Sequence, residues 1–261
     1  MSASKGGALL TTIRDLARRR GRERRGLALA EGVRLVEEAL AADTPVRGAA
    51  VSPALEGTAR GSALKIALTA RGVPLVEVTP AELDALADTE QPQGIVAVIE
   101  PRAWSLDDIP TAPGRVVLVL DGVQDPGNVG TMLRTALALG ASGVVALKGT
   151  AELTNPKVLR GSMGAALRLP AVRSEVDPLI AWVRERGAEL VVAAADGEPL
   201  GRPRRGGPPL ALVVGNEGAG VGPALAAAAS RRMAIPLVSP VESLNVAVAA
   251  GILLYEVTRD A

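Results

Sequence analysis

The stretch Asp121-Gly-Val-Gln-Asp125-Pro126-Gly127-Asn128-Val-Gly130-Thr-Met-Leu-Arg134-Thr135 follows an apolar, β-branched run, Val116 to Leu120. Such a run makes a buried strand, and Asp125-Pro-Gly breaks the backbone before an apolar-periodic segment begins. A strand, a polar turn and a helix therefore follow one another, with Asn128 near the helix N-cap and Arg134 less than two turns further along. This places an arginine and a polar turn where a phosphorylated substrate can be held. Strand, glycine-rich turn and helix are a common α/β connection, so the decision rests on what accompanies them.

Two later segments repeat the design. Leu212-Val-Val-Gly215-Asn216-Glu217-Gly218-Ala-Gly220-Val-Gly222-Pro223 is again an apolar strand running into a glycine-rich turn. Ile235-Pro-Leu237-Val-Ser239-Pro-Val-Glu242-Ser243-Leu244-Asn245 is a strand and polar turn leading into the small-residue run Val246 to Gly251. In this order the three segments resemble motifs one, two and three of the SpoU (TrmH) family of RNA ribose 2'-O-methyltransferases, in the SPOUT superfamily. The resemblance covers residues 115 to 261. It extends more weakly to Ala30-Glu31-Gly32-Val33-Arg34-Leu35-Val36-Glu37-Glu38-Ala39-Leu40 and Gln91-Pro92-Gln93-Gly94-Ile95-Val96-Ala97-Val98, which look like the family's substrate-binding domain. One departure is Leu27-Ala28-Leu29, where relatives commonly carry an aromatic residue.

The family's fold implies an α/β chain: a small L30e-like domain, then a SPOUT domain with a parallel sheet and a C-terminal trefoil knot. The expected division is a basic segment at 1–25, the L30e-like domain at 26–100, a linker at 101–114 rich in proline, and the methyltransferase domain at 115–261. Within these, Leu27 to Leu40 reads as a helix, Val46 to Val51 as a strand, Ser62 to Ala70 as a helix and Pro74 to Val78 as a strand. Pro80 to Ala87 reads as a short helix capped by Thr79, and Ile95 to Ile99 as a strand. Trp104 in the linker is expected to pack between domains. Further strands are read at Val144 to Leu147, Leu190 to Ala194, Leu210 to Val214 and Ala234 to Leu237. Helices are read through Asn155 to Leu167 and from about Leu244. Alternating elements argue for a mostly parallel sheet covered on both faces.

The resemblance also implies a reaction: methyl transfer from S-adenosylmethionine to a ribose 2'-hydroxyl, with 23S rRNA preferred over tRNA. Gly215, Asn216, Gly218, Ile235, Leu237, Ser243 and Leu244 are expected to hold the donor. Arg134, Asn128, Glu217 and Asn245 are expected at the reacting end. A guanidinium with a pKa above about 12 is a poor base. Arg134 is therefore read as gripping a phosphate and stabilising charge on the 2'-oxygen, with Asn128 fixing that arginine or the ribose. Glu217 either orients Arg134 through a charge-assisted pair or is a surface turn residue. Ser243, with Asn245, either helps to hold substrate and donor or is a plain helix N-cap. A homodimer is implied by the same resemblance.

Composition narrows the field independently. The 261 residues contain no cysteine and no histidine, which removes disulfides, Cys/His zinc sites, thiolate nucleophiles and histidine bases, and no metal is expected. Transfer to an oxygen needs none of these. The aromatic residues are Trp104, Trp182 and Tyr255, so RNA contact falls to arginine rather than to stacked rings. The net charge is +1, but Thr11 to Arg25 holds seven arginines against Asp15 and Glu23, or 7 − 2 = +5. That run reads either as a phosphate-binding arm or as a solvated, partly disordered N-terminal face. The clusters Arg202, Arg204, Arg205 and Arg231, Arg232 are read as surface loops. No signal peptide or membrane-spanning run is read, and the expected location is cytoplasmic. A dehydrogenase is disfavoured because Pro223 breaks G-x-G-x-x-G. A catalytically silent RNA-binding assembly factor on the same fold remains the second reading.

Overall fold

The computed structural model describes residues 3–199, 206–238 and 243–259, and divides into two compact units. Residues 202, 204 and 205 of one basic cluster, and residues 239–242 of the third motif, lie outside the described residues.

The first unit comprises residues 1–102 together with 154–167. Its elements are α1 (Ala3–Leu16), α2 (Arg19–Arg25), β1 (Ala28–Glu31), α3 (Val33–Ala41), β2 (Val46–Val51), α4 (Ala59–Ala70), β3 (Leu75–Glu77), α5 (Pro80–Asp84) and β4 (Ile95–Ile99). The strands form one mixed sheet in the order β1-β4-β2-β3, antiparallel except for β2 with β3. Thr79 caps α5 as expected, in a capping box with Glu82.

Three features of this unit differ from the sequence reading. Leu27 to Leu40 is not one helix, because Ala28–Glu31 pairs antiparallel with β4 and is buried throughout. Gly32 then turns the chain at φ 89° into α3. Three apolar residues and Glu31 carry no period that separates strand from helix, so pairing with β4 decides it. The basic run is not a free arm either. Ile13 and Leu16 are fully buried with Leu83 and Val98, and the guanidinium of buried Arg22 donates to the carbonyls of Leu16 and Ala17, closing the end of α1. Finally, residues 154–167 cross from the methyltransferase part of the sequence into this unit. Leu159 and Leu167 are buried in its core beside Val36 and Leu64.

The second unit comprises residues 103–153 and 168–261. Its strands and helices follow in sequence as β5 (Val116–Asp121), α6 (Pro126–Ala138), β6 (Gly143–Leu147), β7 (Ala171–Ser174), α8 (Val176–Glu185), β8 (Glu189–Pro199), β9 (Leu210–Gly215), α9 (Pro223–Ala228), β10 (Arg231–Ala234) and α10 (Val246–Thr258). The helix missing from this series, α7 (Pro156–Ser162), is the one that packs in the first unit, and Met163 ends it in the left-handed region at φ 51°. The continuous helix expected to Leu167 is therefore interrupted.

The six strands run β10-β8-β9-β5-β6-β7, and every pairing is parallel. β5 and β9 are buried along nearly their whole length, as a sheet covered on both faces requires. Trp104 packs against this unit's own core, beside Trp182 and Leu179. β10 ends at Ala234, earlier than expected, so Ile235 and Leu237 lie in the segment beyond it. Pairing of β10 with β8 jumps from Arg232 opposite Val192 to Met233 opposite Glu198. The intervening residues of β8 bulge out of the ladder.

Candidate active site

From β5 the chain steps outward through β6 to β7, then returns to build β8, β9 and β10 on the other side. The reversal puts a switch point between β5 and β9. In open α/β sheets, ligands enter the crevice at the carboxyl ends of the strands flanking such a point. Those ends are Asp121-Gly122 and Gly215-Asn216, the first two motifs.

At the end of β5, Gly122 adopts φ 71° and its amide donates to Thr150 Oγ1 at 3.1 Å, while that hydroxyl donates to Leu120 O at 2.9 Å. Asp125, rather than Asn128, is the N-cap of α6, accepting from Asn128 N at 2.7 Å, with Pro126 in the first position. Asn128 thereby stands in the first turn with its amide side chain facing the other two motifs. Its Nδ2 donates to Glu217 Oε1 at 2.9 Å, and its Oδ1 accepts from Asn245 Nδ2 at 3.1 Å. Asn245 is the N-cap of α10, its Oδ1 accepting from Ala247 N and Val248 N. One residue from each motif thus joins a single hydrogen-bonded chain.

The second loop is pinned from both sides. Asn216 Nδ2 donates to Gly122 O at 3.0 Å, while its Oδ1 accepts from Gly218 N and Ala219 N. Gly222 N donates to Asp121 Oδ2 at 2.7 Å. Gly215 is required by the loop's own closure: a Cβ there would lie 2.2 Å from the carbonyl carbon of Gly220, which bridges back to Asn216. Gly220 sits at φ 68°, where L side chains are strained. Asp121, Asp125 and Thr150 were not singled out by sequence reasoning. The acids stand in the first motif, where a strand end and a helix start each want a carboxylate; Thr150 lies outside any motif and carried no signal.

Behind the chain of amides lies a cavity floored by β8 and β9. Gly215, Asn216, Ile235, Leu237, Ser243 and Leu244 all line it, together with Glu217 and Leu253; Gly218 does not. The bulge of β8 supplies Ala193, Ala194 and Ala195 to one wall, where small side chains leave room. The walls are otherwise apolar, with a few polar groups at one end, as a flat heterocycle with polar edges requires. Ser243 is not the cap of α10, which is Asn245.

Arg134 stands apart. Six residues beyond Asn128, it faces about 120° around α6 from it. It is exposed and makes no hydrogen bond or ion pair with the described residues. Glu217 is engaged by Asn128, and no pair between Glu217 and Arg134 forms among the described residues.

A parallel sheet opening at its switch point onto an apolar cavity with a rigid polar lip belongs to the α/β enzymes that bind a ligand across strand ends. Comparison with known proteins narrows that class. The pattern of the SpoU rRNA Methylase family matches residues 115–255, and that of the MRM3-like substrate binding domain matches residues 10–97. The 23S rRNA (guanosine(2553)-2'-O)-methyltransferase RlmP of Bacillus subtilis is 37% identical over 87% of this chain and 86% of its own length. The SpoU methyltransferase AviRb from Streptomyces viridochromogenes, in complex with AdoMet, superposes with a TM-score of 0.85 at 30% identity, covering 97% of both chains. An AdoMet-bound rRNA methyltransferase from Sinorhizobium meliloti gives 0.82 at 31% identity, covering 96% of this chain and 94% of its own. The chain belongs to the SpoU rRNA methylase family.

Proposed function

We propose that the protein transfers a methyl group from S-adenosylmethionine to a ribose 2'-hydroxyl of RNA, with 23S rRNA as the substrate. The observation that carries this reading is the chain Glu217–Asn128–Asn245, which ties all three motifs together at the lip of the apolar cavity. The names of RlmP and of the AdoMet-bound structures supply the substrate and donor.

The apolar cavity fits an adenosyl group, and backbone groups around Gly215, Ile235 and Leu244 are the ones that would hold it. S-adenosylmethionine, when bound, supplies a methyl already activated by the sulfonium charge. What the protein must add is alignment, exclusion of water and management of one proton. Asn128 and Asn245 fix the ribose beside the cavity. Arg134, unpaired and permanently charged, grips the phosphate on the 3' side and stabilises negative charge developing on the 2'-oxygen. Forming the oxygen–methyl bond would break the methyl–sulfur bond of the donor, which would leave as a neutral thioether, while the hydroxyl proton goes to phosphate or water.

The finer assignments belong to the same reading. A homodimer forms through the open face of α6 and α10, where Val248 and Tyr255 are more than half exposed beside Ile252 and Thr135. A trefoil knot involves the second and third motifs. The protein works in the cytoplasm; among the described residues no helix is long and apolar enough to cross a membrane.

The test is tritiated methyl transfer to total RNA from a strain lacking this gene, with nuclease mapping of the labelled nucleoside. Label in one 2'-O-methylated nucleoside of 23S rRNA is expected. No label in naked RNA or ribosomal particles, with donor binding intact, would establish the silent assembly factor instead.

A further inference from the structure

The first unit holds a cleft of about 260 Å³ that lies apart from the three motifs. It opens between the β1–α3 junction, the loop at 89–93 and α7. Its floor is electrically spent. The buried carboxylate of Glu31 accepts from Asp88 N at 3.0 Å, from Thr89 N at 3.1 Å, from Thr89 Oγ1 and from Arg160 Nη1 at 3.1 Å. Arg160 also donates to Asp88 Oδ2 at 2.7 Å. A buried carboxylate with four donors, one of them a guanidinium shared with Asp88, is held rigid, and the charge the cluster keeps is offset by the Arg34 cation at the mouth of the cleft.

The polar groups at the mouth are unspent. Gln93 Oε1 accepts from Val33 N at 3.1 Å, which fixes the amide and leaves its Nε2 hydrogens without a partner among the described residues. Arg34 and Gln91 line the same cleft, are exposed, and have no partner among the described residues. The apolar part of the lining is Leu35 and Met163. Met163 adopts φ 51°, a left-handed conformation that favours glycine, so a strained position here carries a long polarisable side chain.

We propose that this cleft binds one unpaired nucleotide of the RNA substrate, and this rests on the reading of the protein as an RNA methyltransferase. Amide donors of Gln91 and Gln93 meet acceptors on the base edge, Met163 and the Arg34 guanidinium plane cover its face, and Arg34 reaches the adjoining phosphate. The base is unpaired because side chains read edges only where a base is splayed from its helix. Arginine and methionine take the stacking role because Trp104, Trp182 and Tyr255 all belong to the other unit. A cleft just below the roughly 300 Å³ at which sites for drug-sized ligands begin suits one base rather than a duplex.

The test uses the full-length protein and a transcript of large-subunit rRNA, with binding read by fluorescence polarisation and methyl transfer measured alongside. The double variant Arg34→Ala/Gln91→Ala removes two side chains that make no hydrogen bond or ion pair among the described residues. Its Kd and KM for RNA should rise roughly tenfold to a hundredfold, with donor affinity and Tm as in the wild type. A photo-crosslinking amino acid at position 91 should label one unpaired nucleotide. Unchanged RNA affinity together with absent or scattered crosslinks would overturn the cleft. Failure of the wild type to methylate any RNA would instead overturn the methyltransferase reading, while the binding and crosslinking arms still judge the cleft.

Discussion

Asn128 can satisfy its neighbours in one orientation only. Ionised Glu217 accepts hydrogen bonds and cannot donate, so Asn128 must present its Nδ2 to it, which turns Oδ1 toward Asn245 and sends the Oδ1 of Asn245 to the start of α10. Each amide is set by the next. Asn128→Asp keeps the shape but places two carboxylates in contact, and should lower methyl transfer more than Asn128→Ala. A double-mutant cycle on Asn128 and Glu217 should return a coupling of roughly 0.5–3 kcal/mol in kcat/KM; additivity would show that the contact is idle. Arg134→Ala should cost roughly a hundredfold to a thousandfold in kcat with little change in donor Kd, measured by single-turnover transfer and calorimetry. The residue types of this site were legible because each motif sets a polar side chain just past a strand. Their pairing was not, since Glu217 and Asn128 are 89 positions apart and a charged arginine looked the more natural partner.

At the level of elements, strands with long apolar runs were legible, and β2 and β4 fall where the sequence put them. Short ones fared unevenly: β3 falls within the expected Pro74 to Val78, while β1 and β7 were missed. β1 lacks a diagnostic period, and β7, α8 and α9 went unread because β7 carries Arg173 and α9 is a bare alanine run. The basic run illustrates the same limit: charge is visible in sequence, while its internal pairing is not. Asp15 is bound by Arg24 at 2.7 Å and Arg25 at 2.6 Å, and the hydrogen bond from Arg25, ahead of that from Arg24, holds its carboxyl below the ordinary value. A folded-state pKa lowered in this way contributes stability above the unfolded pKa, lost as pH falls through the lowered one. Protection factors of the amides in residues 3–25, referred to the intrinsic exchange rate at each pH, should therefore fall on acidification in the wild type, and Asp15→Asn should remove that acid-dependent part. Deleting residues 1–25 would take Ile13 and Leu16 out of the core, so it confounds charge with folding. Arg14, Arg18 and Arg20 make no ion pair among the described residues. Changing all three to Gln should flatten the salt dependence of RNA binding by roughly 0.7 per lost phosphate contact; an unchanged slope would make the run a plain solvated face.

For the whole molecule, the α/β class and parallel sheet could be read from alternation, whereas strand order and the destination of α7 depend on packing that no local pattern encodes. Assembly is testable at this scale: Val248→Asp in the exposed face of α10 should convert a dimer to monomers in sedimentation velocity, and a dimer that survives it would place the contact elsewhere. The route of the chain has a consequence for synthesis. The first unit takes its last core residue, Leu167, from a segment made 167 − 102 = 65 residues after its main part ends. At roughly 5–20 residues per second, translation leaves the N-terminal sheet waiting roughly 3–13 s for that segment. During that interval the side of the core later covered by Leu159 and Leu167 is bare, while β5 and β6 are already emerging. A ribosome stalled shortly after residue 102 would therefore carry an unfinished domain, and a protease or chaperone acting on nascent chains would meet an apolar surface that the completed protein never shows.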